Sequence, residues 1–222
     1  MKKIATSTKF DLNILYAQAN KCIDNGEFKE ALVILKQILQ NSEPVKRQET
    51  SSEIIDAYQG IPDDIKNIQD RYIGGKKITL IIDYFTAACY LSGYCFTVIK
   101  EYEMALKYLE QAMILWPRNN TIRHEIAYIY TQLRQFNEAL IILQEALDND
   151  SKDSIANKEI AWIYNEQGLY EQAIPYAQAA IKLDPQIYKA YEELAIAYVK
   201  TGKEKELDEL EKVMNNLKAK NK

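Results

Sequence analysis

The sequence predicts an all-α fold in which short antiparallel helix pairs stack into a solenoid. Three observations predict it. Glu125-Ile126-Ala127-Tyr128-Ile129-Tyr130 returns as Glu159-Ile160-Ala161-Trp162-Ile163-Tyr164 and again as Glu193-Leu194-Ala195-Ile196-Ala197-Tyr198, each time 34 residues on. With units starting at residues 86, 120, 154 and 188, small residues coincide: Ala105, Ala139 and Ala173, then Ala112, Ala146 and Ala180. The aromatics Tyr102, Phe136 and Tyr170 coincide too, each opening the second helix of its unit. Small residues at matched positions let two helices approach closely, and the aromatic fills the space beside the turn. A unit this small cannot bury its own apolar face, so neighbours must stack and the core runs lengthwise.

The elements follow in order. Residues 1–11 form a tail. Residues 12–45 read as a helical hairpin: Leu12, Leu15, Ala19, Cys22 and Ile23 share one face, Asn25-Gly26 turns the chain, and Phe28, Ala31, Leu32, Leu35, Ile38 and Leu39 mark a second amphipathic helix. Pro44 lies past its end. Residues 46–85 break the rhythm and lack the alanine positions, which predicts an irregular helical insertion rather than a degenerate repeat. Within them Thr50-Ser51-Ser52-Glu53 resembles a helix start, Pro62 and its acidic neighbours open a short helix through Tyr72, and Gly74-Gly75-Lys76-Lys77 is a loop. That loop lacks the spacing and the Ser or Thr of a phosphate cradle. Regular units then occupy 86–119, 120–153, 154–187 and 188–222. The last ends in a helix from Lys203 that keeps Leu207, Leu210, Val213, Met214 and Leu217 on one side and charges on the other, as an array needs in order to stop. Pro175 falls inside a second helix, where it removes a backbone hydrogen bond; the surrounding packing can hold the kink.

Taken together, these residues resemble the tetratricopeptide repeat family. The family places Gly or Ala at repeat position 8, an aromatic at 11, Gly near 15, Ala at 20 and 27, and Pro at 32. The unit from 154 supplies Ala161, Tyr164, Gly168, Ala173, Ala180 and Pro185; the unit from 86 supplies Gly93, Phe96, Lys100, Ala105, Ala112 and Pro117. The unit from 120 departs at Arg134 and Ser151, which leaves its turns less well specified, and the pattern also fits Ala19, Cys22, Gly26, Ala31 and Ile38. The resemblance implies a right-handed superhelical solenoid of antiparallel helix pairs that binds other proteins.

Charge and composition narrow the class further. Hydrophobic residues at 47% and charged residues of both signs at 27% describe a folded soluble chain rather than a disordered one. A net charge of −4 argues against nucleic acid or an anionic membrane as partner. Met1 to Lys9 has no apolar run and makes a poor secretory leader, and Ile78–Val98, the stretch nearest to a membrane span, is interrupted by Asp83. Membrane insertion is therefore not expected. Cys22, Cys89 and Cys95 show no Cys-x-x-Cys spacing and read as free thiols in a reducing compartment, so the expected location is cytoplasmic.

Little in the sequence looks catalytic. The single histidine, His124, has no second His or nearby Cys with which to hold zinc or to drive a nucleophile. The run from Asp148 to Glu159 fits a calcium loop at four positions. However, Lys152 stands where a ligand oxygen belongs and Asp153 where glycine is required, so it reads as a linker. No enzyme activity, metal or cofactor is expected.

The surface that carries information is the concave face. In the family, positions 2, 5, 6, 9 and 13 of the first helices line the ligand groove. Position 9 reads Tyr94, Tyr128, Trp162 and Ile196, and position 6 reads Leu91, Glu125, Glu159 and Glu193. The two positions share a helix face by their spacing of three, so an aromatic ladder should run beside an acidic one. The candidate partner-binding residues are Tyr94, Glu125, Tyr128, Glu159, Trp162 and Glu193. They suit a protein or peptide with apolar or aromatic side chains and basic residues between them. The family groove that grips acidic chaperone tails uses Lys, Asn and Arg at these positions; glutamates here would repel a terminal carboxylate. The alternatives are a self-associating structural protein, built on apolar groups in 46–85, or a small secretion or assembly chaperone.

Overall fold

The computed structural model describes residues 11–43, 71–73, 76–78 and 84–220. Its fold is all-α, with ten helices among the described residues. The chain divides into two compact units, Met1–Glu125 and Ile126–Lys222.

The first unit holds α1 (Leu12–Asp24), α2 (Phe28–Asn41), α3 (Tyr84–Val98), α4 (Tyr102–Leu115) and the start of α5 (Asn120–Gln132). Asp11 caps α1 by accepting from the Asn13 N–H at 3.0 Å, which satisfies one of the orphan donors at a helix start. Its core is Tyr16, Ala19, Ala31, Leu35, Ile38, Ala87, Ala88, Leu91 and Cys95, drawn from α1, α2 and α3. Of the stretch closest to a membrane span, Tyr84–Val98 forms the largely buried α3, and no helix among the described residues is long and apolar enough to cross a membrane. Since α2 packs directly on α3, the residues between them do not separate these two helices.

That intervening segment differs from expectation in one described part. Arg71–Ile73 (β1) and Lys76–Ile78 (β2) pair as an antiparallel ribbon, Ile73 opposite Lys76, in place of the helix through Tyr72 and the loop over Lys76 and Lys77. The physical reason is local: this register leaves only Gly74-Gly75 between the strands, a pair favoured in two-residue hairpin loops, and Tyr72, Ile73 and Ile78 prefer strands. Thr50–Glu53, the Pro62 turn and Gly74-Gly75 lie outside the described residues.

The second unit contains the rest of α5, then α6 (Phe136–Asn149), α7 (Ser154–Glu166), α8 (Tyr170–Leu183), α9 (Tyr188–Thr201) and α10 (Glu204–Lys220). One cluster joins Ala127, Ala139, Leu143, Ala146, Ala156, Ile160 and Ile163. A second joins Ala161, Ala173, Ile174, Ala177, Tyr191, Leu194, Ala197, Tyr198 and Leu210. The matched alanines Ala105, Ala139, Ala173, Ala112, Ala146 and Ala180 are all fully buried. On the closing helix, Leu207, Leu210, Met214 and Leu217 pack inward, whereas Val213 is 44% exposed and leaves the expected apolar side.

The turns repeat as closely as the helices. Gly26, Gly168 and Gly202 adopt φ of 77°, 74° and 70°, and Lys100 and Arg134 take the same left-handed conformation at 63° and 61°. In each, the next residue's N–H reaches back to the helix, as Glu101 does to the Phe96 carbonyl at 2.9 Å and Gln135 to the Tyr130 carbonyl at 2.9 Å. The turn at Arg134 is thus as well formed as those with glycine. Arg134 is held further by Glu166 at 3.5 Å and by a cation–π contact 5.2 Å from the Phe136 ring centroid. Helix α8 runs through Pro175, which is exposed, so the carbonyl it leaves unpaired can face water.

Candidate functional site

The first helices α3, α5, α7 and α9 carry every candidate partner-binding residue. In the first unit, Tyr94 on α3 is half-buried, its ring set edge-on to Phe28 at 6.3 Å. Glu125, on α5, is also half-buried, and burial raises its carboxyl above the ordinary glutamate value, with His124 acting the other way.

In the second unit the rungs differ from one another. Tyr128 on α5 is 49% exposed and Ile196 on α9 is 44% exposed. Trp162 on α7 is half-buried, steadied by an edge contact with Phe136 at 6.1 Å. The packing beneath them is shared: Ala127 of α5 meets Ile160 and Ile163 of α7 in one cluster, and α7 packs on α9. Two side chains that the sequence reading passed over join this set, Ile155 on α7 and Val199 on α9, at 45% and 59% exposure. Ile155 sits at repeat position 2, so the groove positions themselves were a signal for it.

The acidic positions do unlike things. Glu159 is paired with its neighbour Lys158. Glu193 is buried, and Asn165 on α7 donates from Nδ2 both to the Glu193 carbonyl oxygen at 2.9 Å and to its Oε2 at 2.8 Å. Burial raises the Glu193 carboxyl, while the Asn165 hydrogen bond and Lys189 oppose the shift. Glu193 therefore serves first as a tie between α7 and α9, where the sequence left it as a groove-facing charge. Nothing in the hydrophobic pattern could reveal Asn165, because its partner lies 28 residues away.

No group of three or more His, Cys, Asp or Glu among the described residues is arranged to hold a metal. The carboxylates of the calcium-like run shape the chain instead. Asp153 caps α7 by accepting from the Ala156 N–H at 2.9 Å, and Asp150 accepts from the Lys152 N–H at 2.9 Å. Cys89 and Cys95 are buried, and burial pushes the Cys95 thiol up to about 12, which suits a packing role and not a reactive one.

The tetratricopeptide repeat model matches residues 121–153 and 159–187. Those stretches are tetratricopeptide repeats, and the chain carries the tetratricopeptide-repeat fold, a protein-interaction scaffold. Among curated proteins none matches the sequence. The chain is similar in structure to MamA of Desulfovibrio magneticus RS-1 (residues 41 to the end), with a TM-score of 0.67 at 16% identity over 97% of this chain and 98% of that one. A MamA RS-1 double mutant gives a TM-score of 0.69 at 16% identity, with 98% of each chain covered. A kinesin light chain of Podospora anserina with nearly identical repeats gives 0.63 at 17% identity, with 95% of each chain covered. At such identities the likeness shows the fold alone.

Proposed function

We propose that this protein is an adaptor that binds a segment of another protein along the first-helix face of its second unit. The observation that carries the reading is the apolar series at one repeat position, Tyr128, Trp162 and Ile196, kept accessible although their neighbours at positions 126, 127, 160 and 161 are buried. Single exposed apolar residues are ordinary on a protein surface; a repeated line of them, rich in aromatics, is what an interface uses. Adjacent first helices spaced roughly 10 Å apart would match about three residues of an extended ligand. Apolar or aromatic side chains at that spacing would meet this line, and Glu159 would favour basic residues between them.

A pull-down from the native organism's lysate tests it, comparing the parent with the Tyr128→Ala/Trp162→Ala variant. Recovery of one protein by the parent and its loss from the variant, with helicity unchanged by circular dichroism, is the expected result. Equal recovery by both would place the contact elsewhere, and recovery of the chain alone would favour self-assembly.

A further inference from the structure

We propose that Arg134 is a positioning residue for the groove: through Phe136 it sets the Trp162 ring in one orientation before a partner segment arrives. The proposal rests on the groove reading above and adds how that site is kept ready. All four residues involved belong to the second unit. Arg134 lies in the turn after α5 and Phe136 opens α6; Trp162 and Glu166 stand four residues apart on α7, so they are neighbours on one helix face. The Phe136 and Trp162 rings meet edge to face, with centroids 6.1 Å apart and planes at 73°. The Arg134 guanidinium carbon lies over the Phe136 ring, 5.2 Å from its centroid, and Nη1 is 3.5 Å from Glu166 Oε2. These contacts close a loop: Trp162 to Phe136, Phe136 to Arg134, Arg134 to Glu166, and along α7 back to Trp162.

Each contact restrains a different freedom. The edge contact favours one plane for the indole relative to Phe136. A cation over a ring face opposes tilting of that ring. Glu166 keeps the guanidinium in place from the same helix that carries Trp162. The Arg134 and Glu166 side chains are 72% and 39% exposed, so their pairing adds little to stability. What it changes is the freedom of one half-buried ring. An aromatic anchor already held in its bound orientation loses less side-chain entropy on binding. The first unit shows which part is special to Arg134. Phe28 and Tyr94 occupy the matching repeat positions and also meet edge to face, at 6.3 Å and 67°. The turn before Phe28 carries Gly26, which has no side chain to lay on the ring. The ring pair thus belongs to the repeat, and the cation that clamps it belongs to the Arg134 turn.

The test uses the whole chain. Biosynthetic fluorotryptophan labels Trp116 and Trp162, and the fluorine signal lost in Trp162→Phe assigns the second. Arg134→Gly removes the side chain and keeps the turn, because glycine readily adopts the φ of 61° found there. In Arg134→Gly the Trp162 signal should move toward that of free fluorotryptophan while the Trp116 signal stays in place. Glu166→Gln should move it the same way by less. Circular dichroism confirms folding, and Glu166→Gln, an exposed substitution, carries the conclusion if Arg134→Gly unfolds. Affinity is read on dodecapeptides selected from a displayed random library against the parent, keeping those that Trp162→Ala weakens. Arg134→Gly should weaken these about threefold in the parent and less than about 1.5-fold when residue 162 is already alanine. Equal weakening in both backgrounds would make Arg134 a direct contact, overturning the positioning role and leaving the groove standing. A Trp162 signal that does not move in Arg134→Gly overturns the positioning role as well. A library that yields no peptide dependent on Trp162 overturns the groove reading itself, and the role of Arg134 falls with it.

Discussion

At the scale of single residues, two kinds of position govern this chain: left-handed turns and buried polar groups. Gly168 has φ of 74° and open space where a Cβ would stand, so Gly168→Ala costs only its backbone strain. A loss of about 1 kcal/mol in urea unfolding is expected. The converse holds at Lys100, a side chain already held at φ of 63°; Lys100→Gly should leave stability unchanged or raise it by a few tenths of a kcal/mol, to about 1. Glu193 makes a prediction in pH. Burial raises its pKa in the folded state above the ordinary value of 4.5, so the folded chain takes up this proton before the unfolded chain does. Its contribution to stability therefore grows as pH falls from neutrality through the raised value, and levels off below 4.5. Glu193→Gln keeps an oxygen for Asn165 and removes the buried charge. Urea midpoints compared at pH 7 and pH 5 should show a smaller rise for Glu193→Gln than for the parent; an equal rise would mean that the carboxyl titrates as it does in water.

At the scale of elements, stability rests on how closely each first helix approaches its partner. A Cβ on Gly93 would stand 2.5 Å from Leu109 Cγ and 3.3 Å from the Ala105 carbonyl oxygen. Leu109 is fully buried and cannot swing clear. Gly93→Ala should therefore push α3 from α4 and cost ~1–3 kcal/mol in thermal or urea unfolding. At α7 the buried Asp153 caps the helix, and Asp153→Ala should cost roughly 1 kcal/mol. The closing helix acts through what it covers. Removing residues 203–222 would expose Leu194, Ala197 and Tyr198, which now pack with Leu210. The truncated chain should aggregate where the parent stays in solution, as light scattering would show.

At the scale of the whole molecule, a repeat architecture is expected to couple each helix pair mainly to its neighbours. Ile160 is fully buried in the cluster that joins α5, α6 and α7. Ile160→Ala should cost ~2–5 kcal/mol. Hydrogen exchange should then quicken in α6, α7 and α8 while α1 and α2 keep their protection; a uniform loss over all ten helices would show a single cooperative body instead.

The repeat period, the close-approach alanines and the turn positions were legible in the sequence because each reports a local geometric need that recurs 34 residues later. Even Arg134, where the pattern lapsed, takes the conformation its place demands, since the flanking helices fix the turn. The pairing of Arg71–Ile73 with Lys76–Ile78 was missed because two three-residue strands leave no period to find. The candidate site was legible only as a set of positions. Which rungs face outward depended on partners distant in the chain: Asn165 draws Glu193 inward, and Phe136 holds the Trp162 ring. The amino-acid sequence alone determined the helix pairs and their order, for these follow from spacing and side-chain size. Tertiary structure alone decided which glutamates are buried and tied to a neighbouring helix, as Glu193 is to Asn165, because such partners lie far apart in the chain.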